Sequence, residues 1–198
     1  MSLTAKQGSS FEQIEDGNHH GVCVALIDLG TQYNEIFNKE QPKIMITWEL
    51  PDFPIVDDRG KPDVEKGYRV ISKEYTVSLH EKANLYTDLI SWRGRDFNQE
   101  ELEGFDIKTI LGANCLVNVI KNKKGYSQVA AVAKMPKGME HKKASYQLIY
   151  DMDEDIENIP EGVPDWIKDK IKKSKEYMSL GAEPQDDSPP PTDDDIPF

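Results

Sequence analysis

Residues 68–94 read YRVISKEYTVSLHEKANLYTDLISWRG, and within this stretch the spacing of the apolar residues changes from that of a strand to that of a helix. Apolar residues at alternate positions predict a strand over residues 68–79, and their later recurrence at helical spacing predicts a helix. Residues 78–81, SLHE, match a capping box, and Gly94 suits a helix C-terminus. We therefore expect a strand that is followed directly by a helix.

Two further strands are predicted before this stretch. Residues 20–29 are apolar on both faces, which is typical of a strand that is buried on both sides or runs centrally through a barrel. Residues 43–50 alternate between apolar and mostly polar positions, and Pro51 stops the pattern. Residues 30–42, which connect the two, are predicted to form a loop.

The pattern after the helix predicts two more strands. Residues 114–121 and 126–134 have strand character, and the sequence NKKG at 122–125 has the composition of a hairpin loop between them. A second short helix is expected over residues 98–104 or over residues 106–111. The predicted order is therefore three strands, one helix and two strands.

This order is that of the OB-fold, a five-stranded Greek-key barrel that binds single-stranded nucleic acid across one face and its loops. We assign a mainly β, OB-fold domain to residues 18–150, with residues 1–17 as a flexible arm. Residues 151–182 are predicted to be an acidic linker that carries a short helix over residues 166–178. Residues 183–198 are rich in proline and acidic side chains and are predicted to be a disordered tail.

The net charge of −12 is unevenly distributed along the chain. Residues 151–165 hold seven acidic residues and residues 183–198 hold six, with no basic residue in either segment. Residues 1–150 are nearly neutral, with 19 basic and 21 acidic residues, and residues 114–150 contain seven lysines against one acid. A basic surface on a neutral body, followed by an acidic tail, is the layout expected of a single-strand binder with a recruiting tail.

Several classes of protein receive no support from the sequence. No stretch is long and apolar enough to cross a membrane, and the N-terminus lacks the apolar core of a signal peptide, so we expect a cytoplasmic protein. Cys23 and Cys115 lie in apolar runs and are expected to be core residues rather than a disulfide or metal pair. The histidines have no paired nucleophile and no phosphate-binding glycine loop is present, so no catalytic residue, cofactor or metal site is predicted.

Single strands are held by stacked aromatic rings and by a groove of positive charge. The candidate cations lie on the predicted second and third strands and on the hairpin between the fourth and fifth: Lys43, Arg69, Lys73, Lys121, Lys123 and Lys124. The candidate rings are Trp48, Tyr68, Tyr75 and Tyr126. For Trp48 and Tyr75 the alternation favours packing in the core, with stacking as the alternative. Lys73 interrupts an apolar face and marks either a bulge or a ligand-facing position.

The last six residues combine negative charge with apolar side chains: Asp193, Asp194, Asp195, Ile196, Pro197 and Phe198. The aspartates attract a basic partner surface, the apolar side chains can enter small pockets, and the proline limits the backbone freedom that is lost on docking. This DDDIPF sequence resembles the C-terminal tip of bacterial single-stranded DNA-binding proteins. The resemblance implies that the tip recruits replication, repair and recombination enzymes, whereas the alternative is an acidic tail that only improves solubility.

The body of the chain carries a second resemblance. Residues 78–85 (SLHEKANL), 89–97 (LISWRGRDF) and 111–119 (LGANCLVNV) are similar to phage and prophage OB-fold proteins assigned to single-stranded DNA binding. This likeness spans roughly residues 20–140, and it implies a phage-encoded protein that acts in the host cytoplasm.

Both resemblances imply a non-enzymatic protein that coats exposed single strands without sequence preference. Two alternatives stay open. In the first, the chain is a decoy that captures host enzymes through its tail and binds no DNA. In the second, it is a nuclease or an annealing enzyme. The sequence also leaves open whether the protein forms a homo-oligomer.

Overall fold

The structure is a computed structural model that describes residues 13–57, 59–63 and 65–180. The strands are β1 (Gly17–Asn34), β2 (Lys39–Pro54), β3 (Tyr68–Thr76), β4 (Asn114–Lys121), β5 (Ser127–Ala133) and β6 (Leu148–Tyr150). The helices are α1 (Asn84–Arg93), α2 (Gln99–Glu103), α3 (Met152–Asp155), α4 (Asp165–Ile171) and α5 (Lys175–Ser179), with a 3-10 helix at Ile107–Ile110. Within these ranges no helix has the length and apolar character needed to span a bilayer. The predicted tail, residues 183–198, and the first twelve residues of the predicted arm lie outside the described residues.

The sheet runs in the order β3-β2-β1-β4-β5, and all of these neighbours are antiparallel. β1 pairs with β4 through Gly17–Val22 and with β2 from Val22 onward, while β6 lies parallel to its middle residues, 25–27. The mainly β class is therefore confirmed. The closed OB barrel is not confirmed, because no backbone ladder joins the edge strands β3 and β5 in the described part of the chain.

The segment predicted to be a loop at residues 30–42 is instead a long hairpin between β1 and β2. Asp28 Oδ1 accepts a hydrogen bond from the Gly30 N–H at 2.8 Å, and Gly30 adopts φ 64° at a register shift that lets β1 continue. Only glycine takes this left-handed conformation at little cost, so the bulge depends on it. The turn closes near Asn38, which also has a positive φ.

The predicted capping box is wrong, although the helix it was meant to begin is present. Residues 78–83 form bends and turns, and α1 begins after Ala83 without a side-chain cap. A capping box does form at α2, where Asn98 accepts from the Glu101 N–H and the Glu101 carboxylate accepts from the Asn98 N–H. The predicted C-terminus of α1 is confirmed, because Gly94 has φ 67° and its N–H donates to Ile90.

The main core lies between the sheet and α1 with the segment that follows this helix. Its largest fully buried members include Trp48, Ile46, Leu50, Leu85, Leu89 and Val117. Cys23 and Cys115 belong to this core as free thiols, as predicted. Burial raises the pKa of the Cys23 thiol to about 12, so it stays protonated.

A second apolar cluster lies on the opposite face of β1. Ala25, Ile27 and Leu29 pack there against side chains from the C-terminal helices. Those side chains are Met152, Val163, Ile167 and Ile171. Residues 151–165, interpreted from their charge as a linker, thus belong to a segment that covers the sheet. Charge alone does not reveal this, because the buried residues are spaced widely among the acidic ones.

We predict that Ile171→Ala lowers the free energy of unfolding by about 2–4 kcal/mol, because Ile171 is completely buried and the change leaves a cavity. Urea titration followed by tryptophan fluorescence measures the loss. Lys172→Ala, at the next and exposed position, is the control and should change stability by less than about 0.5 kcal/mol. An equally small loss for Ile171→Ala would show that this segment is only loosely attached to the sheet.

Candidate nucleic-acid interface

Two of the four candidate rings lie in the core and cannot stack on a base. Trp48 is 0% exposed and its indole lies 5.9 Å from that of Trp92, measured between ring centroids. Tyr75 is 2% exposed and its hydroxyl donates to Asp88 Oδ2 at 2.7 Å. Stacking needs an accessible ring face. The structure therefore excludes stacking at both residues and agrees with the core packing that the alternation favoured.

Lys73, predicted to contact DNA, has its ammonium paired with a carboxylate in the structure. Its ammonium is 2.7 Å from Asp88 Oδ2 and donates to the Ala130 carbonyl at 3.1 Å, so it bridges the gap between β3 and β5. Its charge is therefore matched by a buried carboxylate. Burial, together with the same carboxylate, raises the pKa of the Tyr75 hydroxyl and keeps it a hydrogen-bond donor. We call Lys73, Tyr75 and Asp88 the seam network.

The β4–β5 hairpin brings four candidate residues together, and we call them the hairpin surface: Lys121, Lys123, Lys124 and Tyr126. Asn122 closes the turn, since its Oδ1 accepts from the Lys124 and Tyr126 N–H groups at 2.9 and 3.0 Å. All four side chains are exposed, Tyr126 by 62%. Within the described part of the chain none of the three lysines forms an ion pair. Their charges are therefore available to a ligand.

Tyr68 and Arg69 occupy the first two positions of β3. Gly17, at the start of β1, pairs with Val119 near the end of β4, and Pro54, at the end of β2, pairs with Tyr68 at the start of β3. Because β1 and β2 are antiparallel, the start of β3 and the end of β4 lie at the same end of the sheet. Tyr68 is 38% exposed and Arg69 is half-buried. Both therefore lie at the end of the sheet from which the hairpin surface projects.

Lys43 lies at the other end of the sheet, in a groove of about 610 Å³ between the β1–β2 hairpin, the end of β3 and the start of α1. The groove is lined by one exposed ring and several basic side chains, which we call the lysine groove: Phe37, Lys39, Lys43, His80 and Lys82. The Lys43 ammonium donates to Thr76 Oγ1 at 2.8 Å. Glu74 also lines the groove, but its carboxylate is paired with Lys170.

Sequence reasoning placed only Lys43 of this groove among the DNA contacts. Lys39 was assigned to a loop and His80 to a helix start, so neither was expected to line a groove. The adjacent apolar residues Ile36 and Phe37, which are 87% and 66% exposed at the hairpin tip, were the available signal. Two large apolar side chains at a turn have no core to enter and so point to a contact surface.

The lysine groove and the hairpin surface lie at opposite ends of the seam between β3 and β5. These strands run in the same direction, and Lys73 meets Ala130 between them. Thr76 lies three residues beyond Lys73, and Tyr126 lies four residues before Ala130. These three and four residues together, at about 3.3 Å per residue, separate the two surfaces by roughly 23 Å along the seam.

No protein-family model matches this chain, and no curated protein matches it. Among residues 13–57, 59–63 and 65–180, no group of three His, Cys, Asp or Glu side chains is placed to hold a metal ion. Assignment of a function therefore depends on the charge and the exposed rings of the lysine groove and the hairpin surface.

Proposed function

We propose that this chain is a single-stranded DNA-binding protein that contacts DNA without sequence preference through the lysine groove and the hairpin surface. One observation carries the proposal: at each end of the β3–β5 seam, exposed aromatic rings lie beside lysines that have no ion-pair partner among the described residues. Lysines attract phosphates, and rings stack on any base, so the combination favours unpaired strands of any sequence.

The proposed fold is an OB-fold whose β3–β5 seam is closed by side chains. The strand order supports it, because β1 lies between β2 and β4 and the edge strands β3 and β5 are left to face each other. Lys73 spans this gap and so takes the place of a backbone ladder. An OB-fold binds ligands between the β1–β2 and β4–β5 hairpins, where the lysine groove and the hairpin surface lie.

The proposed path of the DNA avoids the middle of β2. Met45 and Glu49 are buried on the outer face of that strand, and Ser145 hydrogen-bonds to Glu49 through its N–H at 3.2 Å and through its hydroxyl. The segment that carries Ser145 therefore occupies the surface on which many OB-folds bind single-stranded nucleic acid. We expect the DNA to follow the two hairpins and the seam instead.

The proposal includes the tail. Residues 193–198 would recruit replication, repair or recombination enzymes in the cytoplasm, which is the host cytoplasm if the chain is phage-encoded. These residues lie outside the described part of the chain, so this step depends on their sequence alone. The same acidic segment would compete with DNA for the basic surfaces at high effective concentration.

The test is fluorescence anisotropy of labelled oligothymidylate of about 16 nucleotides, the upper end of the site size of one OB-fold. We expect binding that weakens with salt, and Phe37→Ala should lower affinity about tenfold, because one stacked base is worth about 1–3 kcal/mol. Trp166→Ala is the matched control, since Trp166 is 59% exposed on α4 and belongs to neither the lysine groove nor the hairpin surface.

Other outcomes would count against the proposal. Absence of binding at micromolar protein and low salt would favour the decoy. Loss of the labelled strand on addition of a divalent metal would favour a nuclease. Equal effects of the two aromatic substitutions would remove the lysine groove from the interface.

A further inference from the structure

A second cavity, of about 640 Å³, lies at the C-terminal end of α1, away from both proposed DNA surfaces. α2, the 3-10 helix, the start of β4 and the end of β5 surround it. The lysine groove reaches Asn84 at the start of α1, whereas this cavity reaches Arg93 at its end. The ten residues of the helix separate the two by about 15 Å. We call it the arginine cavity.

The arginine cavity has more positive than negative charge. Arg93, Arg95 and Lys134 line it with only one acidic residue, Glu101. Arg95 donates to both Glu101 oxygens, at 2.7 and 2.9 Å, and Arg93 Nη2 donates to the same carboxylate. Hydrogen bonds from Arg95 and from the Asn98 N–H hold the pKa of Glu101 down to about 2. One carboxylate thus faces three cations, which leaves an excess of two positive charges.

Arg93 is held in place and has a donor to spare. Its guanidinium lies over the rings of Phe97 and Phe105, at 4.4 and 4.9 Å from the ring centroids, and the side chain is only 13% exposed. Its Nη1 is buried and has no hydrogen-bond partner among the described residues. A buried N–H without an acceptor is costly, so the Arg93 guanidinium keeps hydrogen-bonding capacity that its contacts with Glu101 and the two rings do not use.

The remaining walls of the cavity are apolar, with Phe105, Ile110 and Met135 beside Trp92. The volume falls within the range of about 300–1,000 Å³ that small-molecule sites occupy. A cavity with excess positive charge and an apolar wall suits a ligand that joins an anion to a flat organic ring. His141 lines the same cavity and can add one more donor.

We propose that the arginine cavity binds the phosphate monoester of a nucleotide, with the base against the apolar wall. A phosphate monoester carries about −1.5 to −2 charge at neutral pH, which matches the excess of two positive charges better than a singly charged backbone phosphate does. The ligand is either a free mononucleotide or the phosphorylated end of a strand. This site goes beyond the proposed function, because it shares no residue with the lysine groove or the hairpin surface.

The test is isothermal titration calorimetry of the full chain with thymidine monophosphate and with thymidine. We expect the monophosphate to bind at least about tenfold more tightly than the nucleoside, because only the monophosphate carries a negative charge that attracts the cations. Lys134→Ala should weaken binding of the monophosphate by about tenfold. Lys134 is exposed, so the variant should fold, and Lys137→Ala, at an exposed position outside the cavity, is the matched control.

A short oligothymidylate with and without a 5′ phosphate distinguishes the two sources of the ligand. Tighter binding of the phosphorylated strand assigns the site to strand ends, and equal binding of the two strands assigns it to free nucleotides. The proposal is overturned if thymidine binds as tightly as its monophosphate, if neither binds at millimolar concentration, or if both lysine variants weaken binding equally. These results do not depend on whether unphosphorylated oligothymidylate binds elsewhere, so the two proposals can fail separately.

Discussion

Replacement of Lys121, Lys123 and Lys124 together by glutamate should lower the affinity for oligothymidylate about 100-fold at roughly 0.1 M salt. Each phosphate contact on a single strand contributes about 0.7 to the slope of log affinity against log salt, so loss of three contacts lowers that slope by about two. Anisotropy titrations at four or five salt concentrations measure both quantities. The fold should persist, because these side chains are exposed and form no ion pair in the described part of the chain.

The matched control reverses three other exposed lysines: Lys137, Lys172 and Lys173. It changes the net charge by the same amount but leaves the lysine groove and the hairpin surface intact. We expect a much smaller loss of affinity and an unchanged slope, because these lysines belong to neither proposed contact surface and salt screens exposed charges that do not touch the DNA. If both triple variants lose affinity equally, binding depends on net charge and the hairpin surface is not an interface.

Asp88→Ala should lower the free energy of unfolding by about 3–5 kcal/mol, the largest effect on stability that we expect of a single substitution here. Asp88 accepts the hydrogen bond of the Tyr75 hydroxyl and is the ion-pair partner of Lys73, and its side chain is 10% exposed. Its removal leaves an ammonium and a hydroxyl in a poorly solvated site. Urea titration measures the loss, and Asp165→Ala, which removes a fully exposed carboxylate, should cost less than about 0.5 kcal/mol.

Two further variants separate the contributions to the seam network. Tyr75→Phe removes one hydrogen bond and should cost about 1 kcal/mol, since the Lys73 pair stays intact. Lys73→Met added to Asp88→Ala should recover part of the loss, because no charge is then left buried without a partner. A loss below about 1 kcal/mol for Asp88→Ala alone would show that Lys73 reaches solvent once its partner is gone.

Short-range patterns in the sequence predicted the elements whose ends depend on local chemistry. The limits of β4, residues 114–121, were predicted correctly, because alternate side chains such as Cys115, Val117 and Val119 are buried in a regular strand. The β4–β5 hairpin was also predicted, from the turn-forming composition of residues 122–125. In the structure Gly125 adopts φ 82°, a conformation that glycine takes at little cost. The lysines on that hairpin could therefore be grouped from the sequence alone.

The same kind of reasoning failed where contacts between distant residues decide the outcome. Alternation along β2 placed Met45 and Glu49 among the mostly polar positions, yet Met45 packs against the C-terminal helices and Glu49 is buried and accepts from Ser145. Lys73 looked available to a ligand because its partner Asp88 lies on α1, in another element. The β1–β2 hairpin was interpreted as a loop because its strands there are exposed and do not alternate.

By itself, the sequence determined the mainly β class, the helix between β3 and β4, the basic character of the β4–β5 hairpin and the acidic motif at residues 193–198. The tertiary structure alone decided which charges are free to bind a ligand, which rings are exposed and where the arginine cavity forms. The physical reason is that a hydrophobic period records which side of an element is apolar, whereas burial and ion pairing depend on which other element packs there. That choice is made by residues far apart in the chain, as the pairing of Lys73 with Asp88 and the burial of Met45 beneath the C-terminal helices show.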